Sequence, residues 1–265
     1  MTQMIDTHCH LNFDAFDANR DSIVDSAAQV GVTRIIIPAV DIETTQQALD
    51  LAQQYEGIFA AVGVHPNSTA NFTDNILAHI EKQSYQPKVV AIGEIGLDYH
   101  WDKSPKEKQI SSFEAQLALA AKRDLPVIIH NREASDDIIR ILEQWVKDLP
   151  ASLKDRPGVL HSFSAPPEIA ERALSIGFYL GFTGPITFKK AEGLRQIARS
   201  MPLDKILVET DAPFLTPEPF RGKRPNKPEY IPHIVDRLAG LKNVTTDEMA
   251  TITTENAIRL FNLPH

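Results

Sequence analysis

Asp6-Thr7-His8-Cys9-His10 places two imidazoles two residues apart near the start of the chain. In extended backbone successive side chains alternate faces, so His8 and His10 project to one side, where they can share a divalent cation. Alone this is a weak signal, because two half-exposed histidines satisfy the same pattern. Position strengthens it. Gly63-Val64-His65-Pro66, Ile92-Gly93-Glu94, Val127-Ile128-Ile129-His130, Gly158-Val159-Leu160-His161 and Lys205-Ile206-Leu207-Val208-Glu209-Thr210-Asp211 each run from apolar residues into a histidine or a carboxylate. Core packing explains one apolar run ending in histidine, but not five such endings beside a histidine pair. Of the nine histidines, His79, His100, His233 and His265 fall on expected helices, a loop or the terminus, and are read as surface residues. Cys9, between the paired histidines, is expected to face away from them as a small buried hydrophobe.

The elements that must position these groups are short β-branched or apolar runs at residues 5–9, 34–39, 58–64, 89–94, 127–130, 158–161, 178–181 and 205–209, each followed by a longer amphipathic stretch. Eight such units predict a parallel sheet, and a (β/α)8 TIM-type barrel accounts for the count as a single domain over residues 1–265. An open doubly wound sheet would require two or three runs to be misread. In a barrel the C-terminal strand ends converge on one face, so the histidines and carboxylates would meet there. Helix signals agree with the alternation. Ser104 is expected to cap a helix with Pro105 at its first position that runs to Lys122, and Thr73 or Asp74 to cap the helix containing Ile76, Leu77 and Ile80. Pro166-Pro167-Glu168 opens another that ends near Gly177, and Thr245-Thr246-Asp247-Glu248 starts the last. Residues 216–230 read as an irregular Pro-rich loop.

Composition narrows the function. A formal net charge of −8 argues against holding long nucleic acid through a broadly basic surface. A polyanionic substrate would have to be gripped locally, with bound cations supplying the positive charge. No stretch approaches the roughly 20 apolar residues of a membrane span, the N-terminal residues lack signal-peptide regions, and a single cysteine fits a reducing compartment, so a cytoplasmic protein is expected. No obligate protein partner is evident.

The chain resembles the TatD-type metal-dependent deoxyribonucleases, within the wider metal-dependent hydrolase superfamily. The resemblance is carried by Asp6-Thr7-His8-Cys9-His10-Leu11, Gly63-Val64-His65-Pro66, Ala91-Ile92-Gly93-Glu94-Ile95-Gly96-Leu97-Asp98-Tyr99, Pro126-Val127-Ile128-Ile129-His130-Asn131-Arg132, His161-Ser162-Phe163-Ser164 and Val208-Glu209-Thr210-Asp211-Ala212-Pro213. Arg221-Gly222-Lys223-Arg224 and Asn226-Lys227-Pro228 complete it. Two departures are Ala165, where members often carry glycine, and Pro225, an apparent extra residue. Both fall in expected loops that bear on substrate choice rather than on cation binding.

The resemblance implies one cation held by His8, His10 and Asp211, a second by His130 and His161, and Glu94 bridging them. A shared anionic ligand offsets the repulsion between two close cations, and the imidazole–carboxylate mixture suits zinc or manganese better than magnesium. The expected reaction is phosphodiester hydrolysis on DNA by a water activated between two divalent cations, of the 3′-5′ exonuclease type, acting on short or single-stranded ends. Asp211 would accept the proton, and His65 would contact phosphate or donate a proton. Arg132 could grip phosphate bidentately, Glu209 could orient a ligand histidine, and Tyr99 or Trp101 could stack on a base. Arg221, Lys223 and Arg224, in the one compact basic run, are candidate backbone contacts. The same constellation could instead hydrolyse an ester or amide, including an aminoacyl ester of RNA.

Overall fold

A computed structural model describes residues 2–264, leaving His265 outside the described residues. Among the described residues eight strands alternate with helices: β1 (Met4–Asp6), β2 (Val32–Pro38), β3 (Ile58–Val62), β4 (Val89–Asp98), β5 (Val127–Arg132), β6 (Gly158–Leu160), β7 (Tyr179–Phe182) and β8 (Ile206–Val208). The helices are α1 (Arg20–Gln29), α2 (Ile42–Gln54), α3 (Asp74–Gln83), α4 (Lys106–Arg123), α5 (Ser135–Trp145), α6 (Pro167–Ser175), α7 (Glu192–Ser200), α8 (Ile231–Lys242) and α9 (Thr246–Phe261). All neighbouring strands pair in parallel, in the order β1-β2-β3-β4-β5-β6-β7-β8. The ring closes beyond the ends of β1 and β8. Thr7 N donates to Val208 O, Asp211 N to His8 O at 2.8 Å and His10 N to Ala212 O at 2.8 Å, and Cys9 bridges Ala212. The fold is the (β/α)8 barrel that the alternation predicts.

Its core has two parts. Between strands and helices lies the larger apolar layer, which holds the fully buried Cys9. A second cluster, built from Ile5, Ile36, Phe59, Ala61, Ile128, Val159, Tyr179 and Leu207, is closed from below by Ala257, Leu260 and Phe261 of α9 with Leu263 after it. Strand parity then sets the next layer up. His130 lies two residues beyond Ile128, His161 two beyond Val159, Glu209 and Asp211 two and four beyond Leu207, and His65 four beyond Ala61. The polar groups thus cap an apolar column at the C-terminal mouth.

Three local expectations change. β4 continues four residues past Glu94, because Ile95 and Leu97 are buried and Gly96, Leu97 and Asp98 pair with His130, Asn131 and Arg132. Ser104 does not cap α4: the helix begins at Lys106 with Pro105 in the capping position, and no side chain there accepts a capping bond. A residue before proline is pushed toward extended backbone, and Gln109 Nε2 reaches back to the Ser104 carbonyl at 3.0 Å. Thr73 stands at the α3 cap position without a side-chain bond, whereas Thr245 and Glu248 form the full capping box of α9. No helix among the described residues is long and apolar enough to cross a membrane.

Candidate metal centre

The extended backbone after β1 brings the His8 and His10 rings to one side, with Nε2 atoms 3.3 Å apart. Both face the same two carboxylate oxygens. His8 Nε2 lies 3.4 Å from Glu94 Oε2 and 3.7 Å from Asp211 Oδ1, and His10 Nε2 lies 3.6 Å from each. A tetrahedral cation about 2.1 Å from four ligands needs ligand-to-ligand edges of about 3.4 Å. The five edges just given span 3.3–3.7 Å, close to the spacing such an ion asks of its ligands.

The other oxygen of Glu94 faces a second set. Oε1 lies 2.8 Å from both His130 Nδ1 and His161 Nε2, which are 3.4 Å from each other, and 3.6 Å from His65 Nε2. The His8 and His161 rings stack at 3.9 Å, joining the two sets. The groups His8–His10–Asp211 and His8–Glu94–His161 are each compact enough to hold an ion.

The electrostatics favour ionised carboxylates. Burial alone would push Glu94 up, but the His161, His65 and His8 imidazoles hold it well below the usual carboxylate range. Asp211 is lowered too, the His10, His8 and His161 rings outweighing burial. Burial, reinforced by neighbouring imidazoles, pushes His8 down to about 4 and His65 down to about 3. Neutral imidazoles beside carboxylates are what a cation binds. The second set differs: burial opposes charge on its imidazoles, but Glu94 pushes His161 up to about 9, and the Asp98 and Glu94 hydrogen bonds raise His130 as well.

Outer partners orient the rings. Asp98, which the motif contains but to which the sequence reading assigns no role, accepts from His130 Nε2 at 3.1 Å and thereby turns Nδ1 toward Glu94. Parity along β4 (94, 96, 98) would have found it, had the strand been extended past Glu94. Asp98 is held near 2, since the His130 hydrogen bond and charge and the backbone N–H groups of Trp101 and His100 outweigh burial. Glu209, fully buried, accepts from Ser162 N and lies 3.7 Å from His161 Nδ1. Gly181 makes room for it, because a Cβ there would stand 2.4 Å from Glu209 Oε2. Asp211 sits at φ 52°, in the left-handed region that aspartate tolerates better than most residues.

The substrate-side expectations separate. Arg132 is exposed, its guanidinium 5.4 Å from the exposed Trp101 ring. Tyr99 instead packs on the core, with its hydroxyl donating to Asp137 at 2.8 Å and Lys106 Nζ 4.0 Å from its ring. Arg221, Lys223 and Arg224 are all exposed; Arg221 lies over Phe188 at 4.1 Å and Lys223 over Phe220 at 4.9 Å. His79 and His233 are only partly exposed, and His100 pairs with Glu133 at 2.7 Å.

The family described as TatD related DNase matches residues 5–262. A Bacillus subtilis relative named as the uncharacterized metal-dependent hydrolase YabD is 43% identical over 98% of this chain and 99% of its own. One from Erwinia tasmaniensis, named 3'-5' ssDNA/RNA exonuclease TatD, is 37% identical over 98% of this chain and 100% of its own. The crystal structure of YjjV, a TatD homologue from Escherichia coli K12, superposes with a TM-score of 0.91 at 37% identity over 98% of both chains. With histidine and carboxylate clusters able to hold metal ions at the barrel mouth, this chain is a metal-dependent hydrolase and belongs to the TatD related DNase family.

Proposed function

We propose that the chain hydrolyses phosphodiester bonds in DNA, releasing nucleotides from a 3′ end, with two divalent cations (zinc, manganese or magnesium) as cofactors. His8, His10 and Asp211 would hold one, His130 and His161 the other, and Glu94 would join them. The observation that carries the reading is the division of Glu94 between two nitrogen sets, Oε2 toward His8 and His10 and Oε1 toward His130 and His161. Cations bound there supply Lewis acidity, offsetting charge on a phosphoryl group and making water acidic enough to deprotonate near neutral pH.

The chain's own groups do the rest. Asp211, kept ionised among imidazoles, can take the proton of an attacking water. His65, neutral and half-buried beside Glu94, can hydrogen-bond a phosphoryl oxygen. Asp98 fixes the His130 ring by a hydrogen bond, and the buried Glu209 carboxyl stands 3.7 Å from His161 Nδ1. Arg132, Arg221, Lys223 and Arg224 offer local cations to the DNA backbone on a chain of net charge −8. The exonuclease name of the Erwinia tasmaniensis relative supports the same substrate class.

The test is end-labelled single-stranded DNA incubated with purified protein and manganese, magnesium or zinc. Stepwise shortening from the 3′ end is expected, abolished by Glu94→Ala or Asp211→Ala. No cleavage with any of the three metals, cleavage indifferent to both substitutions, or a strong preference for carboxylic esters would overturn the assignment.

A further inference from the structure

Four large apolar side chains stand exposed among the described residues: Ile42, Tyr85, Trp101 and Phe214. Tyr85, past the end of α3 and away from the mouth, is covered by the Arg123 guanidinium at 3.4 Å. The other three follow strands β2, β4 and β8, so they stand on the loops of the catalytic face. Exposed aromatic rings gathered on one face mark a binding surface rather than scatter.

Trp101 and Phe214 are 49% and 45% exposed, and each is tied to the cluster by its own backbone N–H. Phe214 N donates to Asp211 O at 2.9 Å, and Trp101 N donates to Asp98 Oδ1 at 3.2 Å. Phe13 lies flat on the His10 ring at 4.5 Å, and Phe214 packs edge-on against both at 6.4 Å. Across the mouth His100 meets Trp101 edge-on at 4.8 Å and Arg132 lies over its ring. In a ring ordered β1 to β8, the β8/β1 seam is opposite β4 and β5. The cluster therefore lies between two anchored aromatic faces, each with cations beside it: Arg132 on one side, and Arg221, Lys223 and Arg224 on the loop after Phe214 on the other.

We propose that Phe214 and Trp101 are stacking platforms for two unpaired bases of one DNA strand, one on each side of the phosphate being cleaved, with Phe13 propping Phe214. This rests on the phosphodiesterase reading above and adds a structural demand to it. A base inside a duplex is already stacked and paired, so it offers no free face to either ring; two opposed platforms require two unstacked bases. Stacking is indifferent to base identity, which suits an exonuclease that must pass every sequence.

Two measurements test it. The chain has two tryptophans, and Trp145 is half-buried with its Nε1 bonded to Leu117 O. Titrating the zinc-loaded protein with a phosphorothioate oligothymidylate that resists cleavage should quench tryptophan emission, and Trp101→Phe should remove that quenching. Quenching that survives Trp101→Phe, or none in the wild type, overturns the Trp101 platform. For Phe214, kcat/KM is compared on an oligonucleotide and on the same strand lacking the terminal base. Phe214→Ala should lose roughly 5- to 150-fold on the intact strand and under about twofold on the abasic one. Equal losses on both would mean that the Phe214 ring acts only by packing on His10 and Phe13, and would overturn its platform role. Should the wild type cut no DNA, the phosphodiesterase reading fails, while Phe214→Ala tested for weakened oligothymidylate binding still decides the platform.

Discussion

Asp98→Asn isolates the contribution of a group that touches no expected substrate atom. Asp98 Oδ2 receives His130 Nε2 at 3.1 Å and Asn67 Nδ2 at 3.1 Å, while Oδ1 receives the backbone N–H groups of His100 and Trp101 at 3.0 and 3.2 Å. Asparagine keeps one oxygen for the backbone pair, so the loop stays in place. Its amide nitrogen then faces two donors. His130 must either lose the bond or move its proton to Nδ1, the atom aimed at Glu94 Oε1 from 2.8 Å. Losing a hydrogen bond to a charged group costs about 1.5–3 kcal/mol, which converts to roughly 10- to 150-fold in affinity. Loss of an outer partner of a metal-bound histidine falls in a similar range, about 10- to 100-fold. Zinc titration against a chelating dye should show two binding steps in the wild type and one selectively weakened by that factor in Asp98→Asn, with kcat falling in parallel. Two unchanged steps would refute the reasoning that Asp98 aims His130.

Three further outcomes follow from the same geometry. Gly181→Ala should destabilise the fold by about 1–3 kcal/mol in urea denaturation, because its Cβ would meet the buried Glu209 carboxylate 2.4 Å away; an unchanged midpoint would show that Glu209 yields freely. Phe261→Ala, at the base of the barrel and 2% exposed, should cost about 3–5 kcal/mol yet leave kcat per folded molecule intact at low temperature, and a change in kcat would contradict the separation of base from mouth. Chelation of a cation present at a hundredfold excess over Kd should remove about 2.7 kcal/mol, lowering Tm by roughly 5–11 °C in calorimetry, and an unmoved Tm would deny that the folded chain holds cations.

The barrel was legible because its signal repeats: eight apolar runs, each parallel and buried, leave few other arrangements. The cluster was legible because strand parity turns the spacing of His8 and His10, and the endings at His130 and His161, into one direction. Boundaries were less so. The expected strand over residues 205–209 resolves to Ile206–Val208, since Glu209 continues the extended backbone with one bond to Phe182 O rather than a full ladder. Asp98 escapes assignment when the β4 run is ended at Glu94, the first charge, although burial continues through Asp98 itself. Phe214 carried no signal at all: an aromatic after proline reads the same whether it is buried or exposed. Tyr99 against Trp101 shows the same limit, since only packing separates the ring that faces Asp137 from the ring that faces solvent.

The central claim, that Glu94 joins two cation sites, is tested most directly by anomalous diffraction from crystals of the manganese-loaded protein. Two peaks flanking Glu94 are expected, one among His8, His10 and Asp211 and one beside His130 and His161. A single peak, or peaks that leave Glu94 uncoordinated, would contradict it.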